Sequence, residues 1–259
     1  MVLVTILAVV FGVSILSLVG GLFLLYKEKW AKFISHYLIS FAAGSLIGLA
    51  FLELLPGAIE NLQAFNTVAL YLIAGIVVFY LTEKSLLWYH HHYAAEHLWH
   101  HYEHGHKEKT HPVGYLITIG DGLHNFLDGA IISASFLIDF KLGFITSFTV
   151  LAHELPQEIG DFAVMLHGGF SRTKVVLFNL ISQLMAVLGA LLGFFYLPLV
   201  ENLAGILLAF AAGGFIYIAG SDLIPETHAE KDWNKSLLQI ILLVGGVLVI
   251  WYLGIAFPE

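Results

Sequence analysis

The chain has 259 residues, 59% of them hydrophobic and 12% charged, with a formal charge of −8 and a mean hydropathy of +0.86. Soluble domains run at about 45–50% apolar and about 25% charged, so a water-soluble core is excluded and lipid must solvate much of this surface. There is no cysteine, which removes disulfides, iron–sulfur clusters and thiolate sites and leaves nitrogen and oxygen to hold any metal; no soluble stretch carries the basic patch that nucleic acid requires.

Apolar runs of about 20 residues, set apart by polar punctuation, predict eight membrane-spanning helices, at 2–26, 35–58, 67–88, 112–138, 142–168, 175–197, 201–225 and 236–257. The first is uncharged, has no basic segment ahead of it and is long enough to cross a bilayer, so it reads as a span and not as a cleaved leader. Lys27, Lys29 and Lys32 follow span 1, Lys84 at the end of span 3 leads to Lys107 and Lys109 between spans 3 and 4, Arg172 and Lys174 follow span 5, and Lys231 and Lys235 follow span 7. Only Lys141, of the 11 basic residues, falls in an even-numbered connection. The positive-inside rule therefore makes the odd connections cytoplasmic and both termini external.

Spans 2 and 7 contain a repeat. Phe41-Ala-Ala-Gly-Ser-Leu-Ile-Gly-Leu-Ala-Phe-Leu-Glu-Leu-Leu-Pro56 aligns without gaps on Phe210-Ala-Ala-Gly-Gly-Phe-Ile-Tyr-Ile-Ala-Gly-Ser-Asp-Leu-Ile-Pro225. Glu53 matches Asp222, and Pro56 matches Pro225. The two copies lie an odd number of spans apart and so run in opposite directions through the membrane, the pattern of an inverted-topology transporter repeat. Small-residue faces of this kind also suit close helix packing, within the chain or against a second copy in a homodimer.

Between spans 3 and 4, the stretch from His90 to His111 holds nine of the 14 histidines. That composition predicts a mobile cytoplasmic loop, 89–111, able to contact metal ions.

The chemistry concentrates in spans 4 and 5, which read Asp121-Gly-Leu-His124-Asn125-Phe-Leu-Asp128-Gly129 and His153-Glu154-Leu-Pro156-Gln157-Glu158-Ile-Gly-Asp161. A charge at the bilayer centre costs about 2.5–3.5 kcal/mol, so the five carboxylates here would cost on the order of 12–17 kcal/mol if unpaired. Neither segment carries a cation, and a bound metal ion is the simplest compensation. His124 and Asp128 are spaced i, i+4, as are His153 and Gln157, so each pair shares a helix face. A connection of four residues, 138–141, makes spans 4 and 5 antiparallel neighbours with both histidines near mid-depth. Pro156 cannot donate to the carbonyl of Ala152, which predicts a kink and a freed oxygen. Imidazole and carboxylate together suit zinc, iron or manganese better than calcium or magnesium.

These residues resemble those of the ZIP (Zrt/Irt-like protein) metal transporters over essentially the whole chain. His-Asn-Phe-Leu-Asp-Gly in span 4 is similar to the family's His-Asn-x-x-Asp/Glu pattern. His-Glu-x-Pro-x-Glu followed by Gly-Asp-Phe in span 5 is similar to that of its His-rich-loop branch. The resemblance implies an all-α polytopic fold in a 3+2+3 arrangement, with helices 1–3 and 6–8 related by inversion and the metal site between helices 4 and 5. It implies one metal position at His124, Asp128, His153 and residue 157, and a second at Asn125, Asp128, Glu154 and Glu158. Gln157 departs from the family, which carries His or Glu there, and an amide oxygen is the poorer zinc ligand.

The expectation is thus a transporter in the cell membrane, not an enzyme, carrying zinc, iron, manganese or cadmium toward the cytoplasm with no organic cofactor. Glu53 would mark entry; Asp121, Asp161, Asp222, Glu226 and His228 would mark the rest of the pathway, and Gln183 would act as a ligand or as a bond between helices. An intramembrane hydrolase built on His153-Glu154-x-x-Gln157 and a non-transporting metal sensor are the alternatives.

Overall fold

The computed structural model describes residues 1–104, 113–167, 169–200 and 202–256; side chains are described for all of these except 28, 31, 32, 86–104, 113–117 and 167. All regular structure among them is helical. The helices are α1 (Val2–Lys27), α2 (Phe33–Leu62), α3 (Phe65–His104), α4 (Val113–Ile138), α5 (Phe140–His167), α6 (Arg172–Leu199), α7 (Leu203–Thr227) and α8 (Trp233–Ala256). Six of them contain stretches long and apolar enough to cross a membrane. The other two, α4 and α5, have 26 and 28 residues, length enough to cross, but their acidic and histidine side chains lower their hydropathy.

The connections are tight. Helical structure runs almost unbroken from Val2 to Leu49, interrupted at Lys27, whose φ of −139° and ψ of 53° turn the chain from α1 into α2. Gln63, at φ 50°, closes α2 in the left-handed conformation. A single residue, Asp139, separates α4 from α5, a tighter connection than the sequence suggested. Its side chain accepts the backbone N–H of Leu142 at 2.8 Å, capping the new helix. α3 does not stop at the membrane boundary: its backbone stays helical to His104, and no glycine or proline intervenes between Gly75 and Gly105. Residues 105–111, the remainder of the expected His-rich loop, and Pro112 lie outside the described residues.

Glycines set the packing. A Cβ on Gly44 would stand 1.9 Å from the carbonyl oxygen of Leu243, and one on Gly246 would stand 2.3 Å from that of Phe41, so α2 and α8 touch backbone to backbone. α3 and α7 meet in the same manner, with Gly75 against Phe210 and Gly213 against Leu72. Gly129 and Gly189 bring α4 onto α6, while Gly20 and Gly21 receive Leu155 and Phe162 of α5 on α1.

Both repeat segments carry the same distortion. Ala50–Leu54 and Ala219–Leu223 are widened π turns, each ending two residues before Pro56 or Pro225. Proline lacks the N–H that an α turn would need, and the chain absorbs the loss by extra residue insertion. Glu53 and Asp222 sit on these turns. The outer faces are apolar, with Phe11, Leu16, Ile241 and Leu248 about half-exposed, whereas Ser17, Ser45, Ser133 and Thr149 are buried. That inversion of the water-soluble pattern suits a lipid solvent.

Candidate metal centre

The α4–α5 hairpin aligns its polar side chains rung by rung. Moving away from the turn, Thr146 donates to Ser135 at 3.0 Å, His153 meets Asp128 at 3.2 Å, and Gln157 donates to Asp121 at 3.3 Å. The rungs keep step because the helices are antiparallel and the turn between them is one residue long.

Four side chains converge: His124 and Asp128 from α4, His153 and Glu154 from α5, each able to place one ligand atom within 4.8 Å of the other three. The two Nε2 atoms are 3.2 Å apart. Asp128 Oδ2 lies 3.2 Å from His153 Nε2 and 3.6 Å from His124 Nε2. Glu154 Oε1 lies 3.6 and 3.9 Å from the same two nitrogens. Ligand bonds of about 2.0–2.1 Å in a tetrahedron put neighbouring donor atoms roughly 3.3–3.4 Å apart, close to what is observed. Asp128, His153 and Glu154 are each 2% exposed or less.

The surroundings prepare these groups. His153 Nδ1 is 3.0 Å from the carbonyl oxygen of Thr149. A carbonyl only accepts, so Nδ1 carries the proton and Nε2 presents a lone pair to the cluster. Phe215 of α7 packs on the His153 ring at a centroid distance of 5.7 Å. Glu154 Oε2 accepts from Gln183 Nε2 at 2.9 Å, while Glu154 Oε1 has no hydrogen-bond donor. A buried carboxylate oxygen without a donor is costly, and a cation at this point would meet its need.

The remaining sequence candidates fall around this quartet. Glu158 is fully buried one turn from Glu154, and its Oε1 takes the second Gln183 bond at 2.7 Å. Its Oε2 is also without a donor. Gln183 of α6 therefore serves as an interhelical hydrogen bond to both glutamates. Asn125 and Gln157 both turn their amide nitrogens to Asp121, at 2.9 and 3.3 Å. Gln157 is thus paired with Asp121 through its amide nitrogen. Pro156 lies within the continuous helix α5.

A cavity of about 510 Å³ reaches His124 from the end of the molecule where α7 connects to α8. Its lining includes Asp121, Gln157, Asp161, Asp222 and Glu226. His228 is exposed beyond it and does not line it. Glu83 and Tyr217, which the sequence reading missed, also line it and are hydrogen-bonded to each other across α3 and α7 at 2.5 Å. The one sequence signal for Glu83 was an acid within the third apolar run. A second cavity, of about 310 Å³, opens at the opposite end, where α4 turns into α5. Glu53, Glu60, Asp139 and Lys141 line it, and none of the quartet does.

A family model described as ZIP Zinc transporter matches residues 2–254. The chain belongs to the ZIP family. Zinc transporter ZIP13 of Pongo abelii is 35% identical over 229 residues, covering 82% of this chain and 64% of that protein. Zinc transporter ZIP13 of Homo sapiens is 31% identical over 268 residues, covering 82% and 68%. Zinc transporter ZIP4 of Homo sapiens is 39% identical over 144 residues, 54% of this chain and 22% of that protein. The chain therefore spans just under two thirds of the orangutan protein and about a fifth of human ZIP4. Family and apolar helices together make it an integral multi-pass membrane protein.

Proposed function

We propose that this chain carries divalent transition-metal ions, zinc foremost, across the bilayer by alternating access. The observation that carries the reading is the largely buried quartet His124, Asp128, His153 and Glu154, with spacing suited to a tetrahedral ion and a cavity that reaches it from the α7–α8 end. The cavity end holds the connections rich in lysine and arginine, so the positive-inside rule assigns it to the cytoplasm and the termini to the outside of the cell membrane. This conformation is then inward-facing.

All eight helices cross in this reading, as three, two and three. The packing supports it: α1 on α5 corresponds to α6 on α4, and α2 on α8 corresponds to α7 on α3, as an inversion through the hairpin requires. An ion enters past Glu53, exchanges water for the quartet, and leaves by Asp161, Asp222 and Glu226 toward His228 and the His-rich segment. Iron, manganese and cadmium remain candidate cargo, since imidazole and carboxylate accept them too.

An intramembrane hydrolase is the second reading, and the inverted packing of the two halves favours alternating access over it. The test is metal uptake into liposomes by purified protein, offering zinc, manganese, ferrous iron and cadmium. Wild-type flux that is lost in His153→Ala supports the reading. Binding without flux in the wild type overturns transport and favours a sensor.

A further inference from the structure

Asp121 is buried, 6% exposed, and its two carboxylate oxygens collect donors from three helices. Oδ1 accepts from Asn125 Nδ2 at 2.9 Å on α4 and from Gln157 Nε2 at 3.3 Å on α5. Oδ2 accepts from the hydroxyl of Ser182 on α6. Three donors thus fill most of the roughly four acceptor positions of the carboxylate, and none of them belongs to the quartet.

The consequence lies in the amides. A side-chain amide carries its donors and its acceptor on opposite arms, and only the carbonyl oxygen can bind a cation. An ionised carboxylate accepts and never donates, so it fixes which arm each amide turns toward it. Asn125 also donates Nδ2 to the backbone oxygen of Asp121 at 3.1 Å, which reinforces the same orientation.

Resting on the transporter reading above, we propose that Asp121 is a positioning residue of the metal site. It takes the amide nitrogens of Asn125 and Gln157, leaving their carbonyl oxygens as the arms available to an ion, and it makes Gln157 a strap between α4 and α5. The glutamine that departs from the family pattern thereby has a partner that neither a histidine nor a glutamate would satisfy in the same way. A glutamate would set a second carboxylate against Asp121. Ser182 anchors the arrangement to α6, next to Gln183, which holds Glu154 and Glu158.

The experiment titrates Cd²⁺ into the purified protein in detergent, comparing wild type, Asp121→Asn, Ser182→Ala, His153→Ala, and the Asn125→Ala/Gln157→Ala pair with and without Asp121→Asn. Asp121→Asn keeps the shape but offers a donor and an acceptor, so the amides lose their fixed orientation. Loss of such a supporting partner typically costs about 10–100-fold in metal affinity, and that is the expected weakening. A smaller weakening in the same direction is expected for Ser182→Ala, which keeps the test available if Asp121→Asn does not fold. In the Asn125→Ala/Gln157→Ala background, Asp121→Asn should cost less than threefold, because the groups it positions are gone. A purely structural role would not produce that loss of coupling, and an equal cost in both backgrounds overturns the inference. Binding sensitive to His153→Ala but left within twofold by both Asp121→Asn and Ser182→Ala also overturns it, with the transporter site intact. Binding indifferent to His153→Ala overturns the site and this inference together.

Discussion

The two cavities occupy opposite ends of one repeated architecture, yet they differ in depth. At the α7–α8 end about 510 Å³ of space runs past Asp222 and Asp161 to His124. At the α4–α5 end about 310 Å³ is lined by Glu53, Pro56 and Leu142 and by none of the quartet. Glu53 and Asp222 occupy equivalent positions on equivalent π turns, so the turn itself does not decide which side is open. What differs is the packing beneath it. Gly57 on α2, in the lining of the shallow cavity, lies against Leu142 and Leu208, whereas Gly160, in the lining of the deep one, faces nothing within 4 Å of where a Cβ would stand. Two similar segments thus border cavities of different depth, and the local packing, filled at Gly57 and open at Gly160, separates them.

The largest effect expected is on the quartet itself. His153→Ala removes the nitrogen common to three of the close contacts, and metal uptake by proteoliposomes should fall to background. The next test bears on the depth difference. The chain has no cysteine, so Val164→Cys in the deep cavity should react with a charged thiol reagent from the α7–α8 side, and saturating zinc should slow it. Leu142→Cys, beneath the shallow cavity, should react at least tenfold more slowly from either side. Equal rates would break the distinction between the cavities.

Gly44→Ala and Gly213→Ala probe the equivalence of the halves. Each new methyl would sit about 2 Å from a carbonyl oxygen across the helix pair, and overpacking of this kind costs about 1–3 kcal/mol. Matched losses in thermal stability are expected, and a loss in only one half would argue against equivalent packing. The smallest effect belongs to Glu53→Gln, which keeps shape and removes charge in the shallow cavity. The apparent KM for zinc should rise two- to fivefold, with maximal rate little changed, because the residue lines the approach and not the quartet.

The amino-acid sequence by itself determined the lipid solvent, the all-helical class, the number of helices and the pairing of His124 with Asp128, because hydropathy and helical periodicity act over a few turns. It also pointed to Gln183, whose role as ligand or interhelical bond stayed open, since partner choice depends on which helix lies opposite. Tertiary structure decided the rest. It put Glu154 with the two histidines, turned Gln157 to Asp121, brought Ser182 into the same network, and added Glu83 and Tyr217 to the deep cavity. It also carried α3 as helix to His104 and shortened the α4–α5 connection to one residue. Those outcomes depend on which backbones can approach at Gly44, Gly129, Gly189 and Gly213, and close approach is a property of two helices together that neither sequence segment expresses alone.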